Sequence, residues 1–265
     1  MDQTRAIQRQ FGAAAGRYAT SSYHQRSPDL AAMLESAELQ GHERVLDLGT
    51  GTGHTAVAFA PRVAEVVALD LTAAMLEEAR ALAAAQGLAN LRFELGDAMA
   101  LPYEAGCFDL VTCRVCAHHF ADPRAAVREA ARVLRPAGRL LLADSVSPED
   151  PAQDTFLNCI ELLRDPSHVR DYSMSQWRAI FVEAGLEPEP IASWGVPLEF
   201  DEWVERMATP APARAQLRTL FENATDSVRA AFALRTEGAY GFEIPIGLLR
   251  GRRHPRDSQH LSTTG

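Results

Sequence analysis

Short apolar runs alternate with longer amphipathic segments between residues 44 and 146. Five of these runs are too short for a typical helix and are bounded by glycine, aspartate or proline, which is typical of buried strands. The predicted strands are 45–48, 63–69, 91–95, 108–113 and 140–146. Because strands that alternate with helices are joined by crossover connections, the pattern predicts a doubly wound α/β core with a parallel sheet.

Two of the connecting helices have clear boundary residues. Thr72 is a suitable N-cap for a helix that Gly87 ends, and a second helix begins at Asp122 and Pro123 and ends before Pro136. Threonine and aspartate accept hydrogen bonds from the first backbone N–H groups of a helix, and proline is favoured in its first turn. We therefore expect helices over 73–86 and 123–134.

Amphipathic stretches flank this core on both sides. Further elements are predicted as helices at 29–39, 156–164, 175–183 and within 200–234, and as strands at 191–194 and 242–249. The pattern predicts a single domain over residues 1–250. Its parts are a helical N-terminal flank at 1–40, a cofactor-binding core at 41–146, and a substrate lid with the last strands at 147–250. The stretch 251–265 is polar and without apolar periodicity, so we expect a disordered tail.

The amino-acid composition limits the classes of molecule that this chain is expected to bind. The 265 residues carry 26 Lys and Arg against 35 Asp and Glu, a formal net charge of −9. An acidic chain gains nothing from the counterion release that drives nucleic-acid binding, and no apolar run is long enough for a membrane helix. We expect a cytoplasmic protein with reduced cysteines and a small-molecule substrate, with no nucleic-acid or membrane partner. A homodimer is compatible with the sequence.

A glycine-rich turn follows the first strand directly. Glycines at 49, 51 and 53 remove the β-carbons that would hold a ligand away from the backbone. A dinucleotide fingerprint would place its third glycine at position 54, which is His54 here. Asp47, just before the turn, would repel a pyrophosphate and suits an ammonium group. The turn therefore predicts a cationic ligand.

Two more carboxylates end neighbouring strands. Asp70 lies twenty-one residues after Gly49, where an acidic side chain can accept from both hydroxyls of a ribose, and Asp97 could accept from an exocyclic amine such as adenine N6. Each acid alone could equally cap a helix or a turn. Because all three acids fall at one edge of the sheet, together they favour a nucleoside site.

These residues resemble class I S-adenosylmethionine (SAM)-dependent methyltransferases. The similarity is densest to the small-molecule, UbiE-like group of ubiquinone and menaquinone biosynthesis C-methyltransferases. It is carried by VLDLGTGTG, VVALDLT, GDAMALPY, CFDLVTCRVCAHHF and RVLRPAGRLLLAD, and more weakly by residues 11–24 and 164–186. One departure is Pro136-Ala137-Gly138 in place of the usual Pro-Gly-Gly.

The resemblance implies a Rossmann-like, seven-stranded sheet whose last strand, 242–249, is antiparallel. It also implies an enzyme of the EC 2.1.1 class that uses SAM and releases S-adenosylhomocysteine (SAH). The implied SAM contacts are Asp47, Gly49, Gly51, Gly53, Asp70, Leu71, Met75, Asp97, Ala98 and Arg114. Thr50 in the same turn and Tyr18 in the N-terminal flank are added as cofactor candidates. Tyr23 and His24 are further flank candidates, and ordinary helix packing is the alternative for this flank.

Methyl transfer is an in-line displacement, in which positioning alone contributes roughly 7 to 11 kcal/mol. A nearby base adds about 10²- to 10⁴-fold when the acceptor carries a proton. His119, after the fourth strand, is the preferred catalytic candidate, with His168 as the second, and His118 is a substrate-contact candidate. The alternative is that the two adjacent histidines shape the loop or contact the methionine end of SAM.

Three further residues are predicted to contact the substrate. Arg170 could hold a carboxylate or phosphate, Tyr172 lies in the same predicted lid, and Trp194 is a pocket candidate beside it. A solvated loop with surface ion pairs is the alternative for the lid.

Cys113 and Cys116 are followed by no second ligand pair at finger-like spacing, so we expect no metal site.

Three rival functions remain at this level. A protein of this fold could bind SAM and catalyse a non-methylating step such as a cyclisation, or could sense SAM without catalysis. A nicotinamide-dependent dehydrogenase is disfavoured by His54 in place of the third glycine.

Overall fold

The computed structural model describes residues 3–19 and 27–255, so Tyr23, His24 and the stretch 256–265 lie outside the described part of the chain. The described residues form one seven-stranded sheet in the order β3-β2-β1-β4-β5-β7-β6. The strands are β1 Arg44–Leu48, β2 Glu65–Asp70, β3 Leu91–Leu95, β4 Phe108–Arg114, β5 Leu134–Ser145, β6 Leu186–Glu199 and β7 Gly241–Arg253. Strands β1 to β5 pair in parallel, and β7 is antiparallel to both β5 and β6. The predicted Rossmann-like sheet with an antiparallel last strand is confirmed.

Helices connect and cover the strands. They are α1 Gln3–Ala19, α2 Pro28–Ser36, α3 His54–Phe59, α4 Ala73–Ala85, α5 Pro123–Val133, α6 Pro151–Arg164, α7 Met174–Glu183, α8 Phe200–Arg206, α9 Ala211–Glu222 and α10 Asp226–Ala231. Thr72 is the N-cap of α4, and the Asp122 side chain accepts from the Ala125 N–H at the start of α5, as predicted. The single-domain division stays a prediction.

The last three strands are longer than predicted. β6 contains Pro188, Pro190 and Pro197, which hide its strand pattern, and it tolerates them because it lies at the edge of the sheet. The predicted tail begins too early, since 251–253 belong to β7. Arg252 falls in the predicted tail because of its polar surroundings, but it pairs with Glu38.

Apolar clusters cover both faces of the sheet, and a third cluster joins α6, α8 and α9 to β7. Ala137, in place of the family's usual glycine, has a φ of 63°, in the left-handed region that favours glycine. No helix in the described ranges is both long and apolar enough to span a membrane. The carboxyl ends of β1 to β4 meet at one edge of the sheet, as Rossmann-like topology requires.

Candidate active site

The turn after β1 passes through three glycines with positive φ, namely 60° at Gly49, 54° at Gly51 and 86° at Gly53. A β-carbon at Gly49 would overlap the Cys116 sulfur, and one at Gly53 would lie 2.8 Å from the Ala79 β-carbon. A β-carbon at Gly51 would meet nothing within 4 Å. The first and third glycines are therefore required by packing, whereas the second leaves backbone exposed to a cavity.

Asp70 joins this turn to the end of β2. Its Oδ2 accepts from the Gly51 N–H at 2.8 Å, and its Oδ1 accepts from the Thr72 N–H at 2.8 Å. The residue is 9% exposed, and burial raises the pKa of its carboxyl group. Because each carboxylate oxygen can accept two hydrogen bonds, Asp70 keeps acceptor capacity for a ligand.

A first cavity lies at the carboxyl edge of the sheet, against the glycine turn. Ten of the predicted cofactor residues line it: Tyr18, Gly49, Thr50, Gly51, Asp70, Leu71, Met75, Asp97, Ala98 and Arg114. Asp97 Oδ1 accepts from the Met99 N–H at 2.8 Å, which holds its carboxylate at the strand end. The glycine turn, Asp70 and Asp97, which the sequence predicts at one edge of the sheet, therefore line the same cavity.

Asp47 and Gly53 do not line this cavity. Asp47 is 1% exposed, and its Oδ1 accepts from Thr112 Oγ1 at 2.7 Å. Burial raises the pKa of Asp47 to about 6, against the opposing effect of hydrogen bonds from Thr50 and Thr112. The expected ligand contact of Asp47 is therefore not supported, because its side chain is packed beneath the turn.

Arg114 lines the first cavity, but its charge is already compensated. Its Nε donates to the buried carboxylate of Asp29 on α2, and its Nη2 donates to Ser27 Oγ at 2.8 Å. Arg114 therefore fastens α2 to the end of β4. Asp70 and Asp97 leave the first cavity with an excess of negative charge, as a cationic ligand requires.

A second cavity adjoins the first, and four residues border both: Phe11, Tyr18, Val115 and His119. One wall is apolar and is formed by Val196, Leu198, Trp203, Ile244 and Ile246. The other wall is polar and is formed by His118, His119, Ser145, Glu161, Arg164, Asp165 and His168. The three predicted histidines therefore lie together at this second cavity.

His118 is held by Asp144 at the end of β5. Its Nδ1 donates to Asp144 Oδ1 at 2.7 Å, and its backbone N–H donates to Oδ2 at 3.1 Å. Burial lowers the pKa of His118, but the Asp144 carboxylate outweighs burial and raises it to about 9. His118 is therefore an imidazolium at neutral pH.

His119 is in the opposite state. Its Nδ1 lies 3.0 Å from the carbonyl oxygen of Ser167, which can only accept, so the ring proton is on Nδ1. Its unprotonated Nε2 lies 4.0 Å from Asp165 Oδ2. Burial and then the positive charge of His118, whose ring centroid is 4.1 Å away, lower the pKa of His119 to about 4.

His168 lies beside the same pair, with its ring stacked 5.6 Å from that of His118. Its Nε2 is 3.3 Å from Asn158 Oδ1. Burial and then the electrostatic effect of the charged His118 lower the pKa of His168 to about 2. His168 therefore stays neutral.

The three predicted lid and pocket residues line neither cavity. Arg170 forms a two-point ion pair with Asp154 on α6, at 2.9 and 2.8 Å. Tyr172 packs on Trp177 with ring centroids 5.4 Å apart, and Trp194 packs between apolar clusters on β6. Each of these side chains is engaged in packing or an ion pair away from both cavities, so their contact with a substrate stays a prediction.

Sequence reasoning missed the residues that complete the polar wall. Glu161 and Arg164 are one helical turn apart at the end of α6, and Asp165 follows directly. Asp144 was also missed, although an acid at the end of the fifth strand repeats the pattern of Asp70. The sequence carried that signal for Asp144, whereas the α6 charges resemble an ordinary surface pair.

Cys113 and Cys116 lie with their sulfur atoms 3.4 Å apart at the end of β4. Within residues 3–19 and 27–255, no group of three His, Cys, Asp or Glu side chains could hold a metal ion.

The sheet order, the glycine turn and the two adjoining cavities at the carboxyl edge of the sheet define a Rossmann-like protein with a candidate site at its strand ends. A methyltransferase domain model matches residues 46–142. The uncharacterised methyltransferase YcgJ of Bacillus subtilis is 43% identical over 224 residues, covering 84% of this chain and 88% of YcgJ. The crystal structure of YcgJ superposes with a TM-score of 0.84 at 41% identity, covering 86% of this chain and 99% of that one.

Two further relatives carry named activities. A 27-O-demethylrifamycin SV methyltransferase of Amycolatopsis mediterranei is 35% identical over 231 residues, covering 83% of this chain and 75% of the relative. A demethylmenaquinone methyltransferase of Deinococcus radiodurans is 40% identical over 155 residues, covering 56% of this chain and 63% of the relative. The chain belongs to the methyltransferase family, and the UbiE-like resemblance of its motifs is confirmed.

Proposed function

We propose that this enzyme binds SAM in the first cavity and transfers its methyl group to a small-molecule acceptor in the second. The observation that carries the proposal is the junction of the two cavities. Phe11, Tyr18, Val115 and His119 border both, so a donor and an acceptor can meet there. Holding the reacting atoms together in this way accounts for most of the acceleration in a direct displacement.

The residues of the first cavity fit SAM by their charge and shape. Asp70 and Asp97 supply acceptors for ribose hydroxyls and an amine, and the open face of Gly51 admits a ligand against the backbone. Leu71, Met75 and Ala98 supply an apolar surface for the adenine ring. The excess negative charge suits a sulfonium and an ammonium group.

When bound, SAM supplies an electrophilic methyl group. The residues of the chain then act on the acceptor: the unprotonated Nε2 of His119 accepts the hydroxyl proton, and the His118 imidazolium donates to the oxygen as negative charge develops there. Asp144 keeps that imidazolium charged and oriented. The proton leaves His119 for solvent after transfer. A hydroxyl acceptor is supported by the relative whose name specifies methylation at an oxygen.

Calorimetric titration with SAH tests the cofactor half. We expect the wild-type protein to bind SAH and Asp70→Asn to weaken binding at least about tenfold, since a hydrogen bond to a charged group contributes about 1.5 to 3 kcal/mol. Asp201→Asn is the matched control, because Asp201 is exposed and pairs only with Arg218 in the described part of the chain. Failure of the wild-type protein to bind SAH or SAM would contradict the proposal.

A further inference from the structure

Arg164 lies at the polar wall of the second cavity with most of its hydrogen-bonding capacity already used. Its Nε donates to the Trp203 carbonyl oxygen at 3.1 Å, and its Nη1 donates to Glu161 Oε2 at 3.1 Å. The guanidinium also stacks over the Trp203 ring, 5.0 Å from its centroid. The side chain is 11% exposed, so it is fixed in place.

The remaining nitrogen of this guanidinium, Nη2, makes no hydrogen bond to the described residues. Because Arg164 borders the second cavity, Nη2 is a donor available to a bound molecule. A hydrogen bond from a charged group contributes about 1.5 to 3 kcal/mol, so the cavity favours an occupant that supplies an acceptor atom to Nη2.

The charges around this donor decide which kind of acceptor atom fits. Arg164 and Arg206 border the cavity together with Glu161 and Asp165, so two guanidinium groups face two carboxylates. The charge of His118 is matched in the same way by Asp144. A carboxylate or phosphate on the ligand would therefore add an uncompensated negative charge in a buried site, whereas an uncharged oxygen would not.

The apolar wall of the second cavity determines which acceptor body fits. Val196 and Leu198 on β6, with Ile244 and Ile246 on β7, form an apolar surface. Trp203 extends this surface. Such a surface binds a ring or another extended apolar body, while the few polar groups of the same cavity fix its orientation.

We propose that Arg164 is a specificity-determining residue, which donates from Nη2 to an uncharged carbonyl or hydroxyl oxygen on an apolar, ring-bearing acceptor. The hydroxyl to be methylated then lies at the other end of the molecule, beside His119. This inference rests on the proposed function, because it takes the second cavity to be the acceptor site.

Three naphthols that differ at one position test the proposal on the SAH-loaded enzyme by calorimetry. They are 2-naphthol, its 6-acetyl derivative, and the corresponding 6-carboxylate. We expect the ketone to bind at least about tenfold more tightly than 2-naphthol, and the carboxylate to bind more weakly than the ketone. Equal affinity for the ketone and 2-naphthol, tighter binding of the carboxylate, or no binding of any of the three would overturn the proposal.

Arg164→Gln should abolish the preference for the ketone over 2-naphthol and leave SAH affinity unchanged. The matched control is Arg218→Gln, since Arg218 also stacks on an aromatic ring and pairs with an acid, but lies on the exposed side of α9. The control should keep the preference. A full preference retained in folded Arg164→Gln would contradict the assignment.

Glu161→Gln gives a second test that does not remove the guanidinium. Without the Glu161 carboxylate the site carries a net positive charge, so the affinity for the carboxylate relative to the ketone should rise at least about tenfold. An unchanged ratio would count against charge balance as the basis of selection. Loss of SAH binding by the wild-type protein would reject the proposed function, whereas intact SAH binding without ligand selectivity would reject only the role of Arg164.

Discussion

The adjacent histidines His118 and His119 are held in opposite charge states by their different neighbours. Asp144 raises the pKa of His118 to about 9 against burial, while burial and the His118 charge lower that of His119 to about 4. Pairs of titratable groups with pKa values driven apart in this way divide the roles of base and charged donor between them.

This division predicts the pH dependence of methyl transfer. Below about pH 4 His119 becomes protonated and can no longer accept a proton, and above about pH 9 His118 loses the charge that stabilises the oxygen. We therefore expect kcat/KM, measured with labelled SAM and the acetyl naphthol, to be level between these values and to fall on both sides. His119→Asn should lower kcat by about 10²- to 10⁴-fold.

Assigning the role of base to His118 instead of His119 predicts a different pH dependence of kcat/KM. If His118 were the base, kcat/KM would rise steadily until about pH 9, because His118 accepts a proton only once it is neutral. The effect of the His118 charge on the pKa of His119 can be observed directly by NMR titration of the two imidazole rings. In His118→Gln, the pKa of His119 should rise, since one cause of its depression has been removed.

At the scale of the element, the turn between β1 and α3 contains glycines that are needed for two different reasons, close packing and access to the cavity. Gly49 and Gly51 have nearly the same φ, but a β-carbon meets Cys116 at the first and open space at the second. The left-handed conformation alone costs a residue other than glycine about 1 to 2 kcal/mol, and overpacking adds about 1 to 3 kcal/mol.

Alanine at each position should therefore have distinct effects. Gly49→Ala should lower the free energy of unfolding more than Gly51→Ala does, whereas Gly51→Ala should weaken SAH binding through its new methyl group at the cavity wall. Urea denaturation and calorimetry measure the two effects. Cys116→Ala combined with Gly49→Ala should recover part of the lost stability, and the same stability loss at both glycines would contradict this account.

Local signals predicted the elements of the cofactor half well. The caps at Thr72 and Asp122 and the runs that form β1 to β4 depend on residues that are close together in the chain. β6 was mostly missed, because its prolines are tolerated only at a sheet edge, and the edge is a property of the whole sheet. The predicted start of the tail was wrong for a similar reason, since Arg252 belongs to β7 and pairs with the distant Glu38.

For the whole molecule, the buried His118–Asp144 pair couples stability to pH. The ordinary pKa of histidine is 6.5, and folding raises that of His118 to about 9. The folded state thus binds this proton more tightly, so the stabilisation is complete below pH 6.5 and is lost as the pH rises through 9.

We expect the free energy of unfolding to decrease between pH 7 and pH 9 by about 1 to 3 kcal/mol, given at most about 1.4 kcal/mol per pH unit for one proton. Urea denaturation at several pH values measures this slope. His118→Gln should have a flatter dependence over the same interval. An equal slope in wild type and variant would show that other groups determine it.

The second cavity was harder to predict than the first, because its lining is assembled from parts of the chain that are far apart. Phe11 comes from α1, His119 follows β4, Arg164 ends α6, and Ile244 belongs to β7. The cofactor half instead follows one compact motif region. Arg164 and Arg170 illustrate the difference: Arg164 ends α6 and Arg170 lies in the segment that follows, and only the three-dimensional arrangement shows which one borders the cavity.

The β6–β7 pair has a consequence for how such enzymes diversify. Alternate residues near the end of β6 and near the start of β7 line the apolar wall of the second cavity, while the rest of both strands completes the sheet. The matched domain region ends at residue 142, before either strand begins. Under the proposed function, substitutions at positions 196, 198, 244 and 246 would therefore change which acceptor is recognised without altering the residues of the first cavity.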